Sequence, residues 1–383
     1  MPGVIKKPHI AFSVTNSICY DQRVLKIAGS VSKLGYTVTI IGRKLGDCCS
    51  PDEIPFRTHR FKMLFKKGFL FYKFFNIRLL FYLLINRYDL LVANDLDTLL
   101  PNFMVSKIKG IPLIYDSHEY FTGVPEIQNR PFVKWIWRTV EKNIFPHLKF
   151  VMTVSDSIAD KYEAEYGIRP ITVMNCSSSS EDITGYPKRE LGVNPGNFLL
   201  IYQGAGINID RGGEELIEAI SRIENVSLLI VGSGDVLEIL KKRVIELNLT
   251  ERVIFIPKVP WHELIKYTKS ADAGLSLDKD TNINYRFSLP NKLFDYISAG
   301  IPVIAGNLPE VKKIIEGNRC GIIIPEVTPD EICFAVKKMR DEKDLFNILK
   351  QNAFNASKTL TWDGEAEKVR KLYLEVLMNN FLV

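Results

Sequence analysis

Residues 285–306 read YRFSLPNKLFDYISAGIPVIAG, one helix and one strand with their punctuation in place. Pro290 suits the first turn of a helix, where a missing N–H costs nothing. A helix that begins there presents free backbone N–H groups and a positive dipole end to an anion, and Lys292 adds a cation at the same point. Asp295, one turn on, is placed to accept hydrogen bonds from sugar hydroxyls such as those of a ribose. Gly300, after Ala299, is the natural C-cap, and PVIA at 302–305 reads as a buried strand.

The same alternation of short β-branched apolar runs with helix-length segments fills most of the 383 residues. It predicts an α/β chain with parallel sheets. Strands are expected at 9–14, 36–41, 89–93, 112–115, 150–154 and 171–174, and in a second series at 198–202, 227–231, 253–256, 273–277 and 302–304. Between the two series, residues 175–197 cluster serine, glycine and proline with little periodic apolar content, which reads as a linker. Two Rossmann-like domains follow, 1–185 and 186–360, with ligands expected in a central cleft at the carboxyl ends of their strands. Residues 361–383 form a terminal amphipathic helix that either packs on the second domain or crosses back to the first.

Apolar residues at 46% and charged residues at 25% are ordinary for a chain that folds throughout. The six cysteines, Cys19, Cys48, Cys49, Cys176, Cys320 and Cys333, show neither CxxC spacing nor paired histidines, so a zinc site is not expected and reduced thiols in a cytoplasm are. Residues 1–9 lead into a strand-like run rather than a signal core. The net charge of +6 is modest, and no nucleic-acid partner is expected, but the charge is unevenly spread. Residues 54–88 contain no acid and carry Arg57, Arg60, Lys62, Lys66, Lys67, Lys73, Arg78 and Arg87 among phenylalanine, tyrosine and leucine. That composition predicts that 57–87 docks on an anionic membrane surface without spanning it, since its charges interrupt any apolar run of ~20 residues.

The 285–306 segment resembles the donor-binding signature of glycosyltransferase family 4, in the subgroup reading P-N-K-L-F-E-Y before A-G-x-P-V-I. The resemblance implies a GT-B fold, with Asn291 and Lys292 in the motif, Lys292 beside the diphosphate and Asp295 on the nucleotide ribose. Many family members carry two glutamates eight positions apart; here Asp295 holds the second position and Phe287 the first. Residues 202–220, YQGAGINIDRGGEELIEAI, fall where the family's first C-terminal-domain loop and its K/R-G pair belong. Gly204 and Gly206 let the backbone approach a phosphate there, and Arg211 can neutralise it bidentately. Ala205 stands where an arginine is usual.

In the first half, residues 13–42 resemble the family's opening loop, D-x-R-V helix start and second strand, with Thr15 and Asn16 in place of a glycine pair. Asp21 either caps that helix or serves the reaction, and Asn16 is assigned to the acceptor side. IYDSHEYFTGVPE, 114–126, sets Asp116, His118 and Glu119 just beyond a strand end, where family 4 enzymes often have a histidine that touches the donor sugar. His118 is therefore the first catalytic candidate, with Glu119 on the acceptor side. Asp95 and Asp97, after the 89–93 strand, either face the same cleft or cap a helix.

The resemblance implies a hexosyltransferase-type enzyme that moves a sugar, with retention, from a UDP- or GDP-linked donor to a hydroxyl acceptor. No cofactor and no metal are expected, because Arg211, Lys292 and helix N-termini supply the counter-charge. A lipid-linked or saccharide acceptor is expected, in cell-envelope or exported polysaccharide or glycolipid assembly at the inner face of the cytoplasmic membrane. Two rivals share the donor cleft: a sugar-nucleotide epimerase, and a nucleotide-sugar binding module without activity.

Overall fold

The computed structural model describes residues 7–44, 54–128 and 130–381. The chain divides into two compact units, residues 1–174 with 365–383, and residues 175–364. Each is built on a parallel sheet, as the alternating pattern requires.

In the first unit the strands are β1 (His9–Ser13), β2 (Thr37–Arg43), β3 (Arg57–Phe61), β4 (Leu90–Asn94), β5 (Leu113–Ser117), β6 (Phe150–Thr153) and β7 (Ile171–Thr172). They lie in the order β3-β2-β1-β4-β5-β6-β7. The helices are α1 (Gln22–Ser32), α2 (Gly68–Ile85), α3 (Leu96–Lys109), α4 (Pro125–Gln128), α5 (Pro131–Ile144) and α6 (Asp156–Tyr166). The order reverses between β1 and β4, so the loops after β1, β4 and β5 lie together at the carboxyl ends of the central strands.

The second unit holds β8 (Phe198–Gly204), β9 (Val226–Gly232), β10 (Val253–Pro257), β11 (Ala273–Ser276), β12 (Val303–Gly306) and β13 (Gly321–Ile324), in the order β10-β9-β8-β11-β12-β13. Its helices are α7 (Gly213–Ser221), α8 (Leu237–Glu246), α9 (Trp261–Ser270), α10 (Ile283–Phe287), α11 (Asn291–Ser298), α12 (Pro309–Asn318), α13 (Pro329–Asp341) and α14 (Lys343–Ser357). Here the order reverses between β8 and β11.

Strands form at every expected position, and two more, β3 and β13, were not read from the sequence. Both are sheet edges, half solvated, so neither shows the continuous apolar run of a central strand. The basic aromatic stretch 57–87 is therefore a strand followed by a helix. The units divide at 174/175 rather than at 185/186. Ser177 and Ser180 are already buried in the second unit, donating to Asp295 Oδ1 (2.5 Å) and to the Ser298 carbonyl (2.6 Å). The last helix, α15 (Trp362–Phe381), joins the first unit from Glu365 onward. Glu365 accepts from the Met174 amide (2.9 Å), and Tyr373 stacks on Phe12 of β1 at 6.2 Å. Cys19 is disulfide-bonded, against the expectation of reduced thiols throughout, because spacing along a chain does not reveal which sulfurs meet. Cys176, Cys320 and Cys333 are buried and form no disulfide, and Cys48 and Cys49 lie outside the described residues.

Helix α11 sits unusually close to its sheet. A Cβ at Gly274 of β11 would stand 2.3 Å from the Tyr296 ring, so glycine is required for Tyr296 to lie flat on the strand. The phenol donates to the Leu275 carbonyl (3.0 Å) and accepts from the Gln203 amide (3.3 Å), fixing α11 against β8 and β11. Gly274→Ala is expected to cost on the order of 2 kcal/mol in urea unfolding, the usual range for overpacking a core. An unchanged midpoint would show that α11 is not seated by this contact.

Candidate functional site

In the second unit two of the residues singled out from sequence, Arg211 and Lys292, meet on a carboxylate that sequence reasoning missed. Asp278 follows β11 at the switch point, and its side chain has no solvent exposure. A buried carboxylate must be paired. Arg211, from the loop before α7, donates to it at 2.8 Å, and Lys292, from the first turn of α11, approaches within 3.3 Å. Burial alone would raise the Asp278 pKa, but Lys292 and Arg211 outweigh it and hold the carboxyl below its ordinary value. Burial also lowers the Lys292 pKa, with Asp278 acting against that shift. Arg211 lies over the Tyr285 ring at 4.2 Å and Lys292 over the Tyr202 ring at 5.2 Å, so both cations are held from the side as well. Two basic side chains thus face one carboxylate.

Around this cluster the start of α11 has no side-chain cap, and Asn291 is exposed at its first position. Gly204 ends β8 and Gly206 follows it, and a Cβ at either would meet nothing closer than 3.7 Å. Their φ angles are ordinary as well, so the fold itself does not demand glycine there. Gly212 differs: its φ is 77°, and a Cβ would come within 2.5 Å of the Leu277 carbonyl. Gly212 therefore brings Arg211 down onto the end of β11.

Asp295 is arranged differently from the expected ribose contact. Its Oδ1 accepts from Ser177 Oγ (2.5 Å) and Trp261 Nε1 (2.9 Å), and its Oδ2 from Gln203 Nε2 (3.0 Å). The residue is only 6% exposed. It joins β8, α9 and the 175–197 segment as an internal acceptor. Phe287 ends the short helix α10, whose start is capped by Asn282.

The first unit holds a second charged cluster, at the carboxyl ends of β4 and β5. Asp116, at the end of β5, is fully buried and takes a bidentate contact from Arg23 of α1, with Nη2 at 2.6 Å and Nε at 2.9 Å. His118 lies between two acids, with Nε2 3.2 Å from Asp116 and Nδ1 3.4 Å from Asp95. Burial disfavours the charged ring, but Asp95 and Asp116 outweigh it and push the pKa up to about 10. His118 is thus an imidazolium at neutral pH, a hydrogen-bond donor and not a base. Burial raises Asp95 to about 7 in spite of His118, and raises Asp97 to about 7 in spite of Thr15.

Asp95 occupies the N-cap position of α3 without capping it, at φ 60° and ψ 166°. That conformation is strained for a side chain with a Cβ. It turns the carboxylate toward the ring and toward the His118 amide, which donates at 2.8 Å. Asp21 does cap, accepting from the Val24 amide at 3.1 Å, so its structural role is met. Thr15 donates to Asp97 (2.5 Å), Asn16 is exposed in the loop after β1, and the Glu119 carbonyl accepts from Ser117 Oγ (2.8 Å). Asp278, Arg23 and Gln203 were the residues missed. The rule that ligand-facing residues follow switch-point strands would have found Asp278, whereas nothing local marks Arg23 as a partner 93 positions from Asp116. Among the described residues no group of three or more His, Cys, Asp and Glu is disposed to hold a metal ion.

Two family models match the chain: Glycosyltransferase Family 4 over residues 22–177 and Glycosyl transferases group 1 over residues 188–356. An uncharacterized glycosyltransferase of Methanocaldococcus jannaschii is 25% identical over 228 residues, 58% of this chain and 56% of that one. The chitobiosyldiphosphodolichol beta-mannosyltransferase of Candida albicans is 22% identical over 256 residues, 61% of this chain and 55% of that one. The chain thus spans little more than half the length of these relatives. Among solved structures, Anabaena HepE in complex with UDP-glucose superposes with a TM-score of 0.76 at 13% identity, covering 96% of this chain and all of that one.

Two measurements test these assignments. The His118 ring should carry protons on both nitrogens at pH 8 in nitrogen-detected NMR; a titration near pH 6.5 would refute the pairing. Because the folded ring holds its proton to about pH 10 and the unfolded one only to about 6.5, its contribution to stability is complete below pH 6.5. That contribution falls away as pH rises through 10, a dependence that His118→Gln should flatten. For Asp295→Ala, stranding the buried donors should lower stability on the order of 3 kcal/mol. The same variant should leave the preference for ribo- over 2′-deoxyribonucleotides unaltered, and a lost preference would return Asp295 to the ribose.

Proposed function

The chain belongs to the family-4-type glycosyltransferases of GT-B fold, and on that premise we propose that it transfers a glycosyl group from a UDP- or GDP-linked sugar to an acceptor hydroxyl. The observation that carries this reading is the convergence of Arg211 and Lys292, from separate elements, on Asp278. A departing diphosphate needs such a counter-charge. In the transfer the bond from the anomeric carbon to the diphosphate breaks, the acceptor oxygen bonds to that carbon, and the acceptor proton is released. The uncapped start of α11 and the open backbone at Gly204 and Gly206 suit phosphate oxygens, and no metal is invoked.

On the first unit, a protonated His118 would donate to a sugar hydroxyl or to developing negative charge. Retention is the outcome proposed from the family resemblance, and it requires no strong general base. The acceptor proposed is lipid-linked, in cell-envelope or exported polysaccharide assembly at the inner face of the cytoplasmic membrane. The Candida relative, by name a transferase to chitobiosyldiphosphodolichol, supports that class.

Incubation with labelled UDP- and GDP-sugars decides the reaction. Slow hydrolysis or transfer is expected; inversion at C2 would mean an epimerase, and binding without turnover a module that only holds the nucleotide. In calorimetry Arg211→Ala and Lys292→Ala should each weaken nucleoside diphosphate binding by about 1.5–3 kcal/mol, the range of a charged hydrogen bond. Unchanged affinity in both would remove the diphosphate assignment.

A further inference from the structure

We infer that the outer faces of α2, α3 and α5 form one continuous docking surface for an anionic phospholipid bilayer, a proposal that rests on the membrane-side reading above. Helix α2 is apolar on two sides. Phe71, Phe75, Leu79 and Leu83 are buried, while Leu70, Phe74, Ile77, Phe81 and Ile85 form a second stripe in solvent, with Phe81 59% and Ile85 81% exposed. A helix that only covers a sheet needs one apolar stripe.

The neighbouring helices repeat the pattern. Leu100, Met104 and Ile108 are exposed along one side of α3, and Phe132 and Trp135 near the start of α5 are 68% and 62% exposed. The three helices connect β3 to β4, β4 to β5 and β5 to β6, so right-handed crossovers set them side by side on one face of the sheet. They touch one another: α2 packs on α3, α3 on α5, and Tyr72 of α2 meets Trp137 of α5 edge-on at 5.4 Å. The exposed stripes therefore belong to a single layer.

Charge selects the occupant. The three helices contain only two acids, Asp97 and Glu141, both buried. Lys73, Arg78, Lys107, Arg138 and Lys142 are exposed, and Lys66 and Lys67 precede α2. Aromatic and aliphatic groups among basic residues, with every acid withdrawn, match a negatively charged interface better than a neutral protein patch. Helix α2 is long and apolar enough to cross a membrane by length and composition, but its inner stripe of Phe71, Phe75, Leu79 and Leu83 is committed to the core of the unit, so it lies on the surface rather than spanning. Asn76 of α2 donates to the Asp97 carbonyl (2.9 Å), so the docked layer is continuous with the loop that carries Asp95 and contacts His118. A lipid-linked acceptor would reach the first unit's cluster from this surface.

Sedimentation with vesicles of phosphatidylcholine alone and of phosphatidylcholine with phosphatidylglycerol tests the surface. The protein should partition onto the anionic vesicles. The combined Lys66→Glu, Lys67→Glu and Lys73→Glu variant should bind on the order of a hundredfold less. Phe74→Ser with Phe81→Ser, and separately Phe132→Ser with Trp135→Ser, should each lose about tenfold. All are exposed positions, and circular dichroism checks that each variant folds. Equal binding to neutral vesicles, an unaltered α5 variant, or a shift from dimer to monomer on gel filtration would overturn the proposal, the last by making the face a contact between copies. Donor hydrolysis in vesicle-free buffer separates the two readings. Hydrolysis without vesicle binding defeats the surface alone, and vesicle binding without hydrolysis defeats the transferase alone.

Discussion

A carboxylate withdrawn from water must find partners, and this protein makes that demand at the carboxyl ends of the strands in each of its two sheets. Asp116 ends β5 and Asp278 follows β11, and neither side chain touches solvent. Left unpaired, each would cost several kcal/mol or would protonate. Arg23 and His118 answer the first, Arg211 and Lys292 the second. These pairings set where α1, the loop before α7 and the start of α11 can lie.

The two clusters solve the same problem with different chemical results. Around Asp278 the basic groups outnumber the acid, and their positions are already fixed, so the diphosphate proposed to bind there would need little reorganisation. Around His118 the acids outnumber the ring, so the proton stays on the imidazole, and the ring's chemistry is donation rather than abstraction. A second carboxylate, Asp95, is held beside it in a strained backbone conformation that no helix cap explains. Asp295 represents a third use of a buried acid, with neutral donors in place of cations, and there the carboxylate ties elements together.

The layer of α2, α3 and α5 shows why one stretch of sequence can obey two rules. Its inner stripe is fixed by the sheet it covers, and its outer stripe is freed from that duty and still apolar. Withdrawal of Asp97 and Glu141 into the unit leaves the solvent side uniformly basic, a property that the charge of 57–87 alone only partly displayed.

What the sequence by itself determined was local. The PNKLF helix start and its Gly300 cap, the alternation that makes two parallel sheets, and the positions of Arg211, Lys292 and His118 near strand or helix ends all follow from spacing within a few residues. Asp21 as a cap was equally legible, since its partner is three residues away. The tertiary structure alone decided which distant groups meet. Arg23 finds Asp116 across 93 positions, Lys292 shares Asp278 with Arg211, and Asp295 is engaged by Ser177 and Trp261 before any ligand arrives. It also decided that residues after 174 serve the second unit and that the chain's last helix returns to the first. The physical reason is one of range. Hydrogen bonding and side-chain periodicity along the backbone act between near neighbours and leave a pattern in the chain, whereas the pairing of buried charges depends on which ends the sheet topology brings together, and no linear spacing encodes that.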